Sequence, residues 1–241
     1  MTYCLGILLP DALVLAADSR SNAGVDQIAK VRKLDIIETA GERCLCIMSA
    51  GNLATTQSLV TELKQGFGNG NPVDDLALTA SMFEAARAVG EKLRHILSRD
   101  GKHVRPYGDP SASFLLGGQI GGERHRLFQI YAAGNFIEAT PRNQFLQIGE
   151  TKYGKPILDR ALTFDTSVGE AAKLALISFD ATIRSNLSVA PPVDLLIYRA
   201  NALAADTRHK FNDGDPYWSA LRRGYSDGLM QVVRGLPDLE A

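Results

Sequence analysis

The order of strand-like and helical segments constrains the fold more than any other feature. Two strand pairs open the chain, within residues 3–17 and 34–51, and each pair is joined by a short turn. Two helical stretches follow, over about 53–65 and 73–97, before strands, helices and a late strand return. Strands in runs and helices in pairs are typical of antiparallel sheets with segregated helices. The sequence predicts a layered α+β sandwich, and the absence of a linker or repeat predicts one domain over 1–241.

Local signals give the bounds of several helices. Ser167 precedes Glu170 by three residues, which is a capping-box pattern that opens a helix over 171–182. The Asp100-Gly101 pair is expected to end the second helical stretch. A last helix is predicted over about 217–233, and it is a candidate assembly element.

Composition excludes several classes of protein. The chain has 241 residues, of which 45% are apolar and 22% are charged, as in an ordinary globular protein. Its 26 Lys and Arg nearly balance 27 Asp and Glu, and no basic run is longer than Arg222-Arg223. Nothing in this charge pattern indicates a nucleic acid or an anionic membrane surface as partner.

Cysteine and histidine usage bears on compartment and cofactors. Three cysteines, an odd number, and an N-terminus without a basic and then apolar segment favour a reducing, cytoplasmic location. No run of about 18 apolar residues is present, so no membrane span is expected. The four histidines lack metal-ligand spacing, and the sequence predicts neither a metal nor a cofactor.

Thr2 carries the first candidate chemistry. It is a small residue after Met1, so removal of Met1 would leave a threonine with a free α-amine. The hydroxyl is a weak nucleophile alone, but the attached amine lies within reach of its proton. The α-amine pKa of about 7.7–8.0 is near physiological pH, and a neighbouring cation lowers it further.

A carboxylate and a lysine lie near Thr2 in the sequence. Asp18 ends the second strand, beside the start of the first, and Lys33 opens the third strand. Each residue alone has an ordinary interpretation, as a turn aspartate and a surface lysine, and a Met-Thr start is common. Only the combination of the three points to catalysis.

The combination resembles a known family. The motif Ala16-Ala17-Asp18-Ser19-Arg20, followed by Ala23-Gly24, is similar to the N-terminal half of proteasome β-type subunits. The absence of a propeptide and three further segments, 49–58, 148–155 and 184–188, are similar to the Anbu type of bacterial proteasome homologue. The resemblance covers most of the chain, and it implies a four-layer αββα sandwich of the N-terminal nucleophile hydrolase class.

The resemblance implies a role for each matching position. Thr2 Oγ is the nucleophile, its α-amine is the general base, Lys33 lowers the pKa of that amine, and Asp18 orients Lys33. The backbone N–H of Gly51 matches the donor that stabilises the oxyanion. Lys30 also fits the lysine pattern if the preceding loop is shortened, but Lys33 needs only a one-residue deletion and is preferred.

The second half of the chain departs from the family pattern. Glu150 stands where a serine hydroxyl is usual, and Ser185 replaces a carboxylate, whereas Ser188 keeps the second hydroxyl. These groups tune the N-terminal amine and its water, so the replacements bear on the level of peptidase activity.

The resemblance also implies how a substrate binds. An extended peptide would add to strand edges through the main chain at Asn22 and Gly51, while Ser49 and Leu53 shape the specificity pocket. The implied function is a threonine endopeptidase that cleaves peptides or unfolded proteins within a ring or an open helical homo-oligomer, with an unfoldase needed for folded substrates. Two alternatives remain open: a catalytically weak or silent assembly or binding protein, and an amidase of the same fold acting on small amides.

Overall fold

A computed structural model of the chain describes residues 2–22, 28–71, 75–205 and 207–239. It contains twelve described strands and five described helices. The strands are β1 (Tyr3–Leu8), β2 (Ala12–Asp18), β3 (Arg20–Asn22), β4 (Ile28–Lys30), β5 (Leu34–Thr39), β6 (Arg43–Gly51), β7 (Ala112–Ile120), β8 (Arg126–Ile130), β9 (Phe136–Glu138), β10 (Phe145–Gly149), β11 (Val193–Arg199) and β12 (Thr207–Phe211). The helices are α1 (Leu53–Gly66), α2 (Met82–Val104), α3 (Lys155–Ala161), α4 (Val168–Ser185) and α5 (Pro216–Arg234).

Two antiparallel five-stranded sheets form the centre of the structure. The first has the order β10-β1-β2-β11-β12 and the second the order β5-β6-β7-β8-β9, with β3 and β4 as a separate ribbon. One apolar cluster lies between the first sheet and helices α3, α4 and α5, and a second joins α1 and α2 to the second sheet. A third cluster lies between the two sheets. The predicted four-layer αββα sandwich is therefore confirmed.

The strands of the first sheet are buried on both faces. In β1, Tyr3, Leu5 and Ile7 contact the helix layer, whereas Cys4 and Leu8 contact the other sheet. Alternate side chains of a strand point to opposite faces, and here both faces are covered. This explains why the opening segment is a continuous apolar run instead of an alternating one.

Helix α2 differs from its predicted bounds at both ends. It begins at Met82, where the Ser81 side chain accepts the Glu84 N–H, and the predicted start at residue 73 lies outside the described residues. The expected stop at Asp100-Gly101 is wrong, because the helix continues to Val104. A glycine costs a helix about 1 kcal/mol. Gly101 is buried beside Pro110, and the packing of the helix outweighs this local cost.

The predicted capping box of Ser167 and Glu170 at the start of α4 is present, with both reciprocal hydrogen bonds.

One further strand is defined by long-range pairing. Strand β10, which the sequence did not predict, pairs with β1 so that Tyr3 lies opposite Gly149. This pairing brings the segment after β10 to the beginning of the chain, where Thr2 lies.

None of the described helices is long and apolar enough to cross a membrane.

Candidate active site

The site is built where the first two strands begin and end. Strands β1 and β2 pair with Cys4 opposite Ala17, which places Tyr3 beside Asp18. The Tyr3 N–H donates to Asp18 Oδ1 at 3.0 Å. Thr2 directly precedes this contact and is partly exposed, while Met1 lies outside the described residues.

Asp18 is the central anchor of the site. It is fully buried and accepts hydrogen bonds from the Tyr3 N–H, from the Arg20 N–H at 3.1 Å and from Lys33 Nζ at 2.9 Å. Lys33 is only 5% exposed and also donates to the Arg20 carbonyl oxygen. Burial raises the pKa of Asp18, while the charge of Lys33 and the three donors oppose that rise. The ion pair is thus fixed immediately beside Thr2.

The two candidate lysines have different surroundings. Lys30 is exposed at the end of β4, opposite Arg20 in the ribbon. Lys33 lies just before β5 with its side chain inside the protein. The structure therefore brings Lys33, and not Lys30, to the Asp18 carboxylate.

A pocket of about 260 Å³ opens beside Thr2. Five of the residues predicted for the site contribute to its lining: Thr2, Lys33, Ser49, Gly51 and Leu53. Strand β6 delivers Ser49 and Gly51 to the pocket, and the Asn52 side chain then caps α1, so that this helix begins at Leu53 on the pocket wall.

The backbone conformation at this wall of the pocket requires a glycine at position 51. Its φ is +117°, a value that side-chain-bearing residues rarely adopt. A Cβ at Gly51 would lie 2.4 Å from the carbonyl oxygen of Ser111. No other residue fits without moving the backbone between β6 and α1, and the predicted role of its N–H as an oxyanion donor remains a prediction.

Three charged residues of the pocket, Arg32, Asp35 and Lys64, were missed by the sequence analysis. Asp35 and Lys64 both line it, and Lys64 Nζ contacts Asp35 Oδ1 at 2.5 Å. Asp35 follows Lys33 by two residues, and this spacing in an extended segment places two side chains on one face. The two-residue spacing from Lys33 could have indicated Asp35 from the sequence. No local pattern predicts that Lys64, which lies in α1, reaches the same pocket.

Glu150 lies next to Thr2 through the pairing of β10 with β1. Its N–H donates to the Thr2 carbonyl oxygen at 2.7 Å, and its side chain is only 4% exposed. The preceding Gly149 has a φ of +82°, and a Cβ there would lie 1.9 Å from the same Thr2 oxygen. The carboxylate that replaces the expected hydroxyl is therefore part of the packed interior.

The segment after α4 reaches the site through Asn186, which the sequence analysis missed. Asn186 Nδ2 donates to Glu150 Oε2 at 2.9 Å, and its Oδ1 accepts the Ser188 N–H at 2.9 Å. Ser188 is therefore brought to Glu150 by way of Asn186. Ser185 is the exposed last residue of α4.

The remaining predicted site residue belongs to the ribbon. Asn22 ends β3, where it pairs with Ile28 of β4. Residues 23–27, including the Ala23-Gly24 part of the family motif, lie outside the described residues. A contact of Asn22 with substrate stays a prediction.

The fold and this site define a proteasome-type subunit. A family model described as "Proteasome subunit" matches residues 2–195, so the chain belongs to the proteasome subunit family. Solved structures place it more narrowly, within the Anbu type. Anbu (ancestral beta-subunit) from Yersinia bercovieri is 44% identical, with a TM-score of 0.93 and 99% of each chain covered.

Two further Anbu structures give the same result. One is titled "Helical Assembly of the Anbu Complex from Pseudomonas aeruginosa" and is 46% identical, with a TM-score of 0.94 over 99% of this chain and 98% of that one. An Anbu (Gly-1) mutant from Hyphomicrobium sp. strain MC1 is 44% identical, with a TM-score of 0.93 and all of both chains covered.

The comparison with curated proteins gives no match. Within the described residues, no group of three or more His, Cys, Asp or Glu side chains could hold a metal ion.

Proposed function

We propose that the chain is a threonine endopeptidase whose nucleophile is Thr2 after removal of Met1. One observation carries the proposal: Thr2 borders a pocket and directly precedes the Tyr3 N–H that is bonded to Asp18, the same carboxylate that holds buried Lys33. A hydroxyl, its own α-amine and a fixed cation at one place are what an N-terminal nucleophile requires.

The first half of the reaction forms an ester. The α-amine takes the proton of Thr2 Oγ as this oxygen attacks the carbonyl carbon of the peptide bond. The charge that develops on the carbonyl oxygen is stabilised by the N–H of Gly51. The tetrahedral intermediate collapses, the α-ammonium protonates the departing amine, and an acyl ester on Thr2 remains.

The second half consumes water. The α-amine accepts a proton from a water molecule as its oxygen attacks the ester carbonyl. The ester C–O bond then breaks, Thr2 Oγ regains a proton, and the acid product leaves. Glu150, whose N–H donates to the Thr2 carbonyl oxygen, and Ser188, which Asn186 links to Glu150, tune the amine and its water in this step, as the family resemblance implies. The positive charge of Lys33, held by Asp18, favours the unprotonated amine at both stages.

The substrate is an extended peptide in this proposal. Main-chain groups at Asn22 and Gly51 hold the peptide as an added strand, and Ser49 and Leu53 border its side-chain pocket. Peptides and unfolded proteins meet the requirement for an extended chain, while folded proteins require a separate unfoldase.

The proposal includes self-assembly. The related Pseudomonas aeruginosa Anbu complex forms a helical assembly. We infer that this chain also forms a homo-oligomer, either a ring or an open helical array. Contacts between unlike surfaces of identical subunits produce one or the other, depending on the rotation between neighbours.

The decisive experiment is the intact mass of the protein before and after treatment with a peptide epoxyketone. This reagent forms its ring adduct through both the threonine hydroxyl and the free α-amine, so we expect loss of Met1 and one adduct at Thr2. Thr2→Ala should abolish adduct and peptide hydrolysis, while Thr207→Ala, at an exposed position in β12, should leave both unchanged.

The outcomes separate the alternatives. Retention of Met1 would remove the base and contradict the enzyme proposal. Loss of Met1 without an adduct would favour a silent assembly. Adduct formation with hydrolysis of small amides at rates indifferent to peptide length would favour an amidase.

A further inference from the structure

Asn186 connects the segment after α4 with Glu150, the residue that directly follows β10. Its amide makes two side-chain hydrogen bonds at once, one to a carboxylate oxygen of Glu150 and one to the N–H of Ser188, both at 2.9 Å. Its own N–H donates to the Thr182 carbonyl oxygen, which anchors the residue to the end of α4. Asn186 is therefore fixed from three directions.

Glu150 links Asn186 to Thr2. The Glu150 N–H donates to the Thr2 carbonyl oxygen at 2.7 Å, and the Glu150 side chain is 4% exposed. A buried carboxylate needs hydrogen-bond donors to offset its lost hydration. The amide of Asn186 supplies one, and the ammonium group of Lys152 lies 3.7 Å from the other oxygen but is largely exposed.

A second contact fastens the same segment to the Asp18 side of the site. Arg20 Nη1 donates to the carbonyl oxygen of Leu187 at 2.9 Å, and the Arg20 main chain contacts both Asp18 and Lys33. Residues 186–188 thus join the two groups of residues that flank Thr2: Glu150 on one side, and Asp18 with Lys33 on the other.

We propose that Asn186 is a positioning residue that fixes Glu150 and Ser188 relative to Thr2. The residue does not touch substrate in this proposal. It acts by holding Glu150 and the Ser188 main chain, and its effect on reactivity rests on the proposed function of Thr2.

The chemistry of the pair allows a swap experiment. Asn186→Asp places two carboxylates against each other and removes the donor, and Asn186→Leu removes both side-chain hydrogen bonds. Glu150→Gln retains an acceptor, because its amide can present oxygen to Asn186. The double variant Glu150→Gln with Asn186→Asp restores the hydrogen bond with donor and acceptor exchanged, and the carboxylate introduced at position 186 still accepts the Ser188 N–H.

The first readout is the rate of epoxyketone adduct formation as a function of pH. We expect Asn186→Asp and Asn186→Leu to slow it about tenfold and to shift its pH midpoint, and the double variant to recover to within about threefold of the original rate. Asp18, Lys33 and Lys152 also bear charge near the site and remain unchanged in every variant. Asn212→Asp, at an exposed position before α5, controls for the added charge.

The second readout is hydrogen exchange at the amides of Ser188 and Glu150, which needs no turnover. Asn186→Leu should speed exchange at both amides, and the double variant should restore protection. If the unsubstituted protein forms no adduct, the proposed function fails. The exchange data would still test whether Asn186 fixes Glu150 and Ser188. Unchanged exchange and unchanged rates in both Asn186 variants, or a double variant no better than Asn186→Asp alone, would overturn the proposal.

Discussion

Lys33 and Lys30 are three residues apart in sequence, but their surroundings separate them completely. Lys33 Nζ lies 2.9 Å from Asp18 Oδ1 with both side chains buried, whereas Lys30 is exposed. Breaking a buried ion pair leaves an uncompensated charge inside the protein, and this typically costs about 3–5 kcal/mol. The two lysines should therefore respond very differently to removal.

We expect Lys33→Ala to abolish epoxyketone adduct formation and to lower the free energy of unfolding by about 3–5 kcal/mol. Lys30→Ala should change the unfolding free energy by less than about 0.5 kcal/mol and leave the adduct rate unchanged. Intact mass and urea unfolding measure the two effects.

A further variant separates loss of chemistry from loss of stability. Lys33→Met with Asp18→Asn removes both charges, so it should regain part of the stability while still forming no adduct. Normal adduct formation in Lys33→Ala would contradict the assignment of this lysine.

At the scale of elements, the Tyr3 hydroxyl joins β1 to β10 and α4. It lies 2.6 Å from Ser178 Oγ of α4 and accepts from Gln147 Nε2 of β10 at 2.6 Å. Burial raises the pKa of Tyr3 to about 12, with the two hydrogen bonds opposing this effect. The tyrosine next to Thr2 therefore fixes the start of β1 to both the sheet and the helix layer.

The raised pKa of Tyr3 gives a pH dependence with a definite sign. The unfolded chain releases the phenol proton near pH 10 and the folded protein only near pH 12. The stabilisation from Tyr3 is thus complete below pH 10 and is lost as the pH rises towards 12, by about 1.4 kcal/mol for each pH unit.

We expect Tyr3→Phe to lower the free energy of unfolding by about 1–3 kcal/mol at pH 8, because Ser178 and Gln147 lose a buried partner. The difference from the unsubstituted protein should shrink between pH 10 and 12. Urea unfolding at a fixed protein concentration measures it. Tyr107→Phe, at a 93% exposed position, is the control, and a difference that stays constant with pH would contradict this explanation.

At the scale of the whole molecule, α5 presents an apolar surface to solvent. Its first turns pack on the first sheet through Trp218 and Leu221. Beyond them, Leu229, Val232 and Val233 follow at the spacing of one helix face, and each is at least half exposed. Contiguous exposed apolar surface usually marks an interaction site. Because the proposed function includes a homo-oligomer, a second copy of the chain is the partner we expect here.

We expect the double variant Leu229→Ser with Val233→Ser to weaken self-association. Each side chain contributes about 2 kcal/mol when it becomes buried, so the pair should weaken association by about a thousandfold. Sedimentation equilibrium measures the change. Leu78→Ser, at a 54% exposed position away from α5, is the control, and an unchanged oligomer in the double variant would show that this face is not an interface.

Much of the fold was predictable because it follows from local patterns. The hairpin of β1 and β2 is set by two apolar runs and a turn, and it places Asp18 beside Tyr3 without any knowledge of the rest. The capping box at Ser167 similarly determines where α4 begins. The helix stop expected at Asp100-Gly101 failed for the opposite reason, since burial of α2 outweighed a local signal.

The sequence by itself determined the layered α+β sandwich and the hairpin that places Asp18 beside Tyr3, next to Thr2, whereas it left Lys33 and Lys30 as alternatives for the site lysine. Only the tertiary structure decided that Lys33 reaches Asp18 while Lys30 does not, that Lys64 faces Asp35, and that Asn186 links Ser188 to Glu150. The first group depends on neighbours within a hairpin or on repeating apolar spacing. The second depends on which distant segments pack together, such as β10 against β1, and this is set by burial over the whole molecule and not by any local pattern.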